Sequence, residues 1–144
     1  MDAERTFFRH TLATLAYRGN KAFDAPPGFS AFRIAPGSRT AGEILAHIGD
    51  LFDWALIMAR EKHLWRETPP QSWAADVLRF QEGIAALDAY IASGAPLAAP
   101  LDRLFQGPVA DALTHVGQIA MLRRLAGHPV PGENYFRADI QPAR

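Results

Sequence analysis

The sequence predicts an all-α domain: a four-helix bundle with a long first crossover loop and an irregular C-terminal tail. Three observations carry this. Apolar residues return every three or four positions in four separate stretches. No stretch alternates apolar and polar residues between turn signals, as a half-buried strand would. Proline and glycine gather in the breaks between the stretches. At 144 residues the chain has the length of one domain and can bury a core without covalent staples, so a single domain over residues 1–144 is expected.

The first helix is expected from about Ala3 to Tyr17, where Phe8, Leu12 and Leu15 share a face, and it should fade near Gly19. Residues Arg18 to Arg39, RGNKAFDAPPGFSAFRIAPGSR, are too many for a tight turn, so this loop is a crossover or part of a site. The second helix opens on a capping box, Thr40 followed three residues later by Glu43, and should reach about Lys62. At about 100° per residue, Ile44, Leu45, Ile48, Leu51, Phe52, Ala55, Met58 and Ala59 form a broad apolar arc. His47 lies inside the edge of that arc and so faces inward.

After the connector HLWRETPPQ, Ser72 is the N-cap of a third helix in which Trp73, Val77, Phe80, Ile84, Leu87 and Ile91 follow at spacings of four and three. Gly94 ends it. Leu101 to Gln106 forms a short helical turn, and Gly107-Pro108 should start the fourth helix with proline at its first position. Gly127, with Pro129 and Pro131 beyond it, stops that helix. Tyr135 and Phe136 fall in the irregular tail and are expected to dock on the bundle or to cover a site mouth.

Composition excludes several classes of function. With 15 basic and 15 acidic residues the formal charge is zero, so nothing draws the chain toward nucleic acid or an anionic membrane, and neither is expected as a partner. The absence of cysteine removes disulfides, thiolate ligands and a cysteine nucleophile. MDAERTFFRH has no apolar core of signal-peptide length, and no run approaches the ~20 apolar residues that span a bilayer, so a cytoplasmic location is expected. No GxSxG, P-loop or GxGxxG pattern supports a nucleophilic serine or a nucleotide.

The chemistry-bearing residues lie on the second and fourth helices. Asp111 and His115 stand four apart, so their side chains reach one point in space, at the margin of the arc made by Val109, Ala112, Val116, Ile119 and Ala120. Two readings fit that spacing. The pair can satisfy itself as a hydrogen bond at the edge of the core, with His47 bonded to a carbonyl. Alternatively His47 faces the same crevice, and two imidazoles with one carboxylate suit zinc, nickel or ferrous iron and leave coordination positions open. Asp50, one turn after His47, is the candidate catalytic general base or outer carboxylate, against the plainer reading of a solvated surface residue. Trp54 could wall a pocket or simply pack; Gln118 could bond a ligand or face water. Arg123 and Arg124 fit the negative end of their helix without further role, and His10, His63 and His128 are expected at the surface.

GSRTAGEILAHIGDLFDWALIMARE and, about fifty residues on, GPVADALTHVGQIAMLRRLAG resemble the DinB-like superfamily, also described as YfiT-like metal-dependent hydrolases. The match rests on inward His47, on Asp111 and His115 with three residues between them, and on the continuation Gly117-Gln118-Ile119 and Arg123-Arg124, and it covers roughly residues 3 to 127. The resemblance implies a divalent cation, commonly nickel or zinc, held by three histidines. Asp111 departs from that pattern by standing where the first histidine of the fourth-helix pair is usual. It also implies a homodimer and a small-molecule substrate. The expected function is therefore a metal-dependent enzyme, either a hydrolase or a transferase that uses a low-molecular-weight thiol such as bacillithiol or mycothiol; a cation deprotonates such a thiol near neutral pH. Two rivals stand beside it: a non-catalytic, stress-associated binding protein, and a dimeric structural bundle without turnover.

Overall fold

The computed structural model describes residues 1–144 and is all-helical, with no strand. Helix α1 spans Ala3–Phe23, α2 Ala41–Arg60 and α3 Trp73–Ala92. The fourth, α4, is built of a helical turn Leu101–Leu104, a π-helical turn Phe105–Val109 and an α-helical run Ala110–Leu125. A short 3-10 turn, Phe29–Ala31, interrupts the first loop. Around the core the neighbours are α1 with α3, α3 with α2, α2 with α4 and α4 with α1. Sequence neighbours α1 and α2 thus lie across the core from each other, and the long first loop is the crossover that joins them. No helix is long and apolar enough to cross a membrane.

Local signals set most helix starts. Asp2 caps α1 through the Arg5 amide; Thr40 and Glu43 form the reciprocal capping box of α2; Ser72 accepts from the Ala75 amide to start α3. Gly94 and Gly127, at φ 74° and 87°, take the left-handed conformation just after α3 and α4, as expected of helix-stopping glycines. Most of the expected apolar stripes are buried, with Leu12, Leu15, Leu45, Ile48, Phe52, Phe80, Leu87, Ile91 and Ile119 enclosed at the centre, while Met58, Trp73, Val77 and Ala120 are only half-buried.

Two helix boundaries differ from expectation. Helix α1 does not fade at Gly19 but continues for another turn to Phe23. Gly19 lies where the fully buried Phe80 ring presses on the helix: a Cβ there would stand 2.6 Å from Phe80 Cζ and 3.2 Å from Phe23 Cε2. The glycine is a packing notch, not a stop. Gly19→Ala should therefore lower stability by about 1–3 kcal/mol despite alanine's better helix propensity, because Phe80 is held edge-on between Phe23 and Phe52 and has nowhere to move. Urea denaturation checks this: the midpoint should fall with the slope unchanged.

Nor does α4 begin at Gly107-Pro108. It begins at Leu101 and passes through Pro108 by widening into the π turn, which accommodates the missing proline N–H and the ring's clash with the carbonyl one turn back. The wider turn rephases the helix. Leu104 and Val109, five apart, are both fully buried, and the run that follows carries Asp111 and His115 toward α2.

The tail docks on the α1 side. Tyr135 lies under the Arg18 guanidinium, 3.8 Å from its ring centre, and Glu133 accepts from Lys21 Nζ at 2.5 Å and Tyr17 Oη at 2.8 Å. Near the chain end, Ala143 O accepts from Arg9, which also holds Asp88 of α3. Phe136, expected to dock with Tyr135, is instead almost wholly exposed.

Candidate metal centre

His47 sits seven residues into α2, on the face turned to α4, because the capping box at Thr40 fixes where the helix starts and the arc from Ile44 to Ala55 fixes which side is buried. From α4, Asp111 and His115 face it one turn apart. His47 Nε2 lies 3.5 Å from Asp111 Oδ2, and His115 Nε2 lies 3.4 Å from the same oxygen. The imidazoles stand edge to face, with ring centres 4.8 Å apart and planes at 89°. The three ligand atoms all lie within 4.8 Å of one another, an arrangement that could hold a metal ion.

Those spacings fit a tetrahedral ion. Ligand atoms ~2.0–2.1 Å from a cation at the tetrahedral angle are ~3.3–3.4 Å apart. Both edges to Asp111 match that separation. Bringing the imidazole nitrogens to it needs a closing movement of at most about 1.5 Å from the 4.8 Å limit, within reach of small side-chain rotations. The side chains of His47 and His115 are 21% and 12% exposed whereas that of Asp111 is 48% exposed, so the cluster opens to solvent on the Asp111 side. A fourth position there is accessible to a small molecule.

Hydrogen bonding fixes how His115 presents itself. Its Nδ1 lies 2.7 Å from Gln118 Oε1, and an amide oxygen only accepts, so Nδ1 is the donor. In the neutral ring Nε2 then carries a lone pair, and it points at the Asp111 carboxylate, another acceptor. Two acceptors 3.4 Å apart repel unless a positive charge, a metal ion or a second ring proton, lies between them. His47 favours the neutral form: burial pushes its pKa below the usual histidine value, and the neighbouring His115 and Arg39 push the same way against the opposing pull of Asp111. A neutral imidazole is the form that ligates.

The surroundings differ from expectation at three places. Asp50 is buried, and its carboxylate accepts from Arg79 Nη2 at 2.7 Å and from the Thr68 amide at 3.2 Å. None of its hydrogen bonds reaches His47, Asp111 or His115, so the proton-handling role expected of it has no contact behind it. Arg79 crosses α2 where Gly49 leaves room, since a Cβ there would come 2.6 Å from Nη1, and it also bonds Ala46 O and Asp53. Asp50 thus anchors α3 and the connector to α2 beneath His47. Asp50→Asn should cost about 2 kcal/mol of stability, read by urea denaturation, while leaving the metal content of the purified protein unchanged.

Trp54 packs against the core, the plainer of its two readings, and forms no ring pair with His47. The ring that does is Trp65, from the connector, 5.7 Å from His47 and packed edge-on against Trp54 at 5.5 Å. His63, exposed as expected, also packs perpendicular to Trp54, with ring centres 5.5 Å apart. Trp65 lies in an irregular segment with no periodicity, so only tertiary packing reveals its place. Arg39 also went unmarked in the sequence. It lines two cavities, one of about 360 Å³ with His47 and one of about 400 Å³ with His115.

Comparison of the chain with protein-family models, with curated proteins and with solved structures finds no match.

Proposed function

We propose that this chain is a metal-dependent enzyme of the DinB-like kind, a four-helix bundle that holds a zinc or nickel ion, or alternatively iron, on His47, Asp111 and His115. The observation that carries the reading is the convergence of His115 Nε2 on Asp111 Oδ2 while Gln118 occupies His115 Nδ1. That arrangement places two lone pairs face to face at a partly buried spot, with a second, neutral-favouring imidazole beside them. Two neutral imidazoles and one carboxylate leave a divalent cation with a net charge of +1 and an open side toward solvent. A cation so held supplies Lewis acidity, lowering the pKa of a water or low-molecular-weight thiol that reaches it.

The chain's own residues orient and screen this chemistry. Gln118 fixes the tautomer and rotation of His115, Trp65 shields one side of His47, and the Asp50–Arg79 pair braces the turn of α2 that carries His47. Both hydrolysis by water and transfer of a thiol use such a centre, so the substrate panel covers both.

The test is elemental analysis of protein purified without chelator or affinity tag, followed by assays on ester, amide and thiol-transfer substrates. About one divalent cation per chain, with turnover that chelator abolishes and added metal restores, is the expected result. Stoichiometric metal with no turnover in either panel would make the protein a non-catalytic binding protein. Absence of metal, and no uptake on incubation with zinc or nickel, overturns the proposal.

A further inference from the structure

The first loop delivers a free cation to the edge of the metal cluster. Arg39 precedes the N-cap of α2 and is exposed. Its guanidinium makes no hydrogen bond or ion pair with the protein, in contrast to Arg5, Arg9, Arg79 and Arg123, each of which is committed to a partner. The nearby Glu43 carboxylate is engaged at the Thr40 amide in the capping box. Arg39 lines one cavity with His47 and a second with His115.

The two cavities that share Arg39 are unlike each other. The one on the His47 side contains Glu43, Asp50 and Glu67 and repels an anion. The one on the His115 side, about 400 Å³, is lined by Ile34, Ile44, Met121 and Leu125, and three of these, Ile34, Met121 and Leu125, are large apolar side chains left exposed. That volume lies in the range of small-ligand sites, ~300–1,000 Å³. An apolar groove with an uncommitted guanidinium at one edge and His115 and Gln118 in its wall is complementary to an anion with an apolar body.

We infer that the substrate is a small organic carboxylate with a hydrocarbon body, its carboxylate held by Arg39 and its apolar part lying along Ile34, Met121 and Leu125, in the groove whose wall includes His115. As an assignment of substrate this rests on the metal-dependent reading above; the binding of the anion itself does not. Arg39 is a binding residue and sets specificity by charge, while the groove sets it by length.

The test is a titration of isotopically labelled protein, followed by amide NMR shifts, with sodium octanoate, octylamine and sodium acetate as probes. It is run on chelator-treated and zinc-treated wild type and on Arg39→Met. Octanoate should shift the amides of Ile34, Arg39, Met121 and Leu125 saturably with and without zinc, acetate and octylamine should not, and Arg39→Met should weaken octanoate at least tenfold. Equal binding by the variant, equal binding of octylamine, or binding seen only with zinc overturns the inference. If zinc fails to bind but octanoate still does so through Arg39, the metal reading falls and the carboxylate site stands. If zinc binds stoichiometrically and octanoate does not, the reverse holds.

Discussion

Excess zinc should raise the Tm of the wild-type protein by roughly 6–10 °C and leave that of His115→Ala unchanged. A ligand that binds only the folded state stabilises it by RT ln(1 + [L]/Kd), about 2.7 kcal/mol at a hundredfold excess over Kd, and for a domain near this size each kcal/mol moves Tm by about 2–4 °C. His115 contributes the imidazole that faces Asp111 at 3.4 Å, so its loss removes one ligand and the geometry of a second. The side chain lies at the margin of the core, and its own truncation should cost little folding energy. His47→Ala should behave alike. Gln118→Ala is the graded control. It frees His115 Nδ1 without touching a ligand atom, and loss of such an orienting partner weakens a metal site about 10–100-fold. Thermal melts with and without zinc therefore rank the three positions, and equal zinc shifts in wild type and His115→Ala would remove His115 from the site.

The largest change in stability without a change in the site is expected at Arg123. This arginine, read from the sequence as a last-turn cation that merely suits the helix end, is buried and reaches back across the core. Its Nη1 donates to Lys21 O at 2.9 Å and to Ala22 O at 3.4 Å, satisfying carbonyls in the last turn of α1 that no helical amide can reach. Arg123→Met keeps most of the packed volume but strips both bonds, so about 2–3 kcal/mol of stability should be lost. Arg124→Met, at an exposed position, should change stability by less than about 0.5 kcal/mol. Urea denaturation of the two variants gives the comparison, and equal losses would show that α1 does not depend on this cap.

The parts of the fold written in local chemistry were legible. Thr40 with Glu43, Ser72, Gly94 and Gly127 act through neighbours within a turn, and the apolar period puts His47 on an inward face and Asp111 and His115 at the margin of one, whereas their meeting between α2 and α4 comes from how the helices pack. The rest depends on distant partners. Gly19 reads as a stop until Phe80 is known to press on it, and Gly107-Pro108 reads as a start until the π turn carries the helix through. Asp50 reads as a candidate base because Arg79, twenty-nine residues away, is not visible as its partner. Trp65 and Arg39 lie in irregular segments where no periodicity marks which residues come to lie beside His47 and His115.

The central claim, that His47, Asp111 and His115 bind a divalent cation together, is met most directly by titrating zinc into chelator-stripped protein against a chromophoric competitor. The account predicts one zinc per chain for the wild type and affinity reduced at least a hundredfold in both His47→Ala and His115→Ala, with circular dichroism showing each still helical. Zinc binding no tighter in the wild type than in the two folded variants would contradict it.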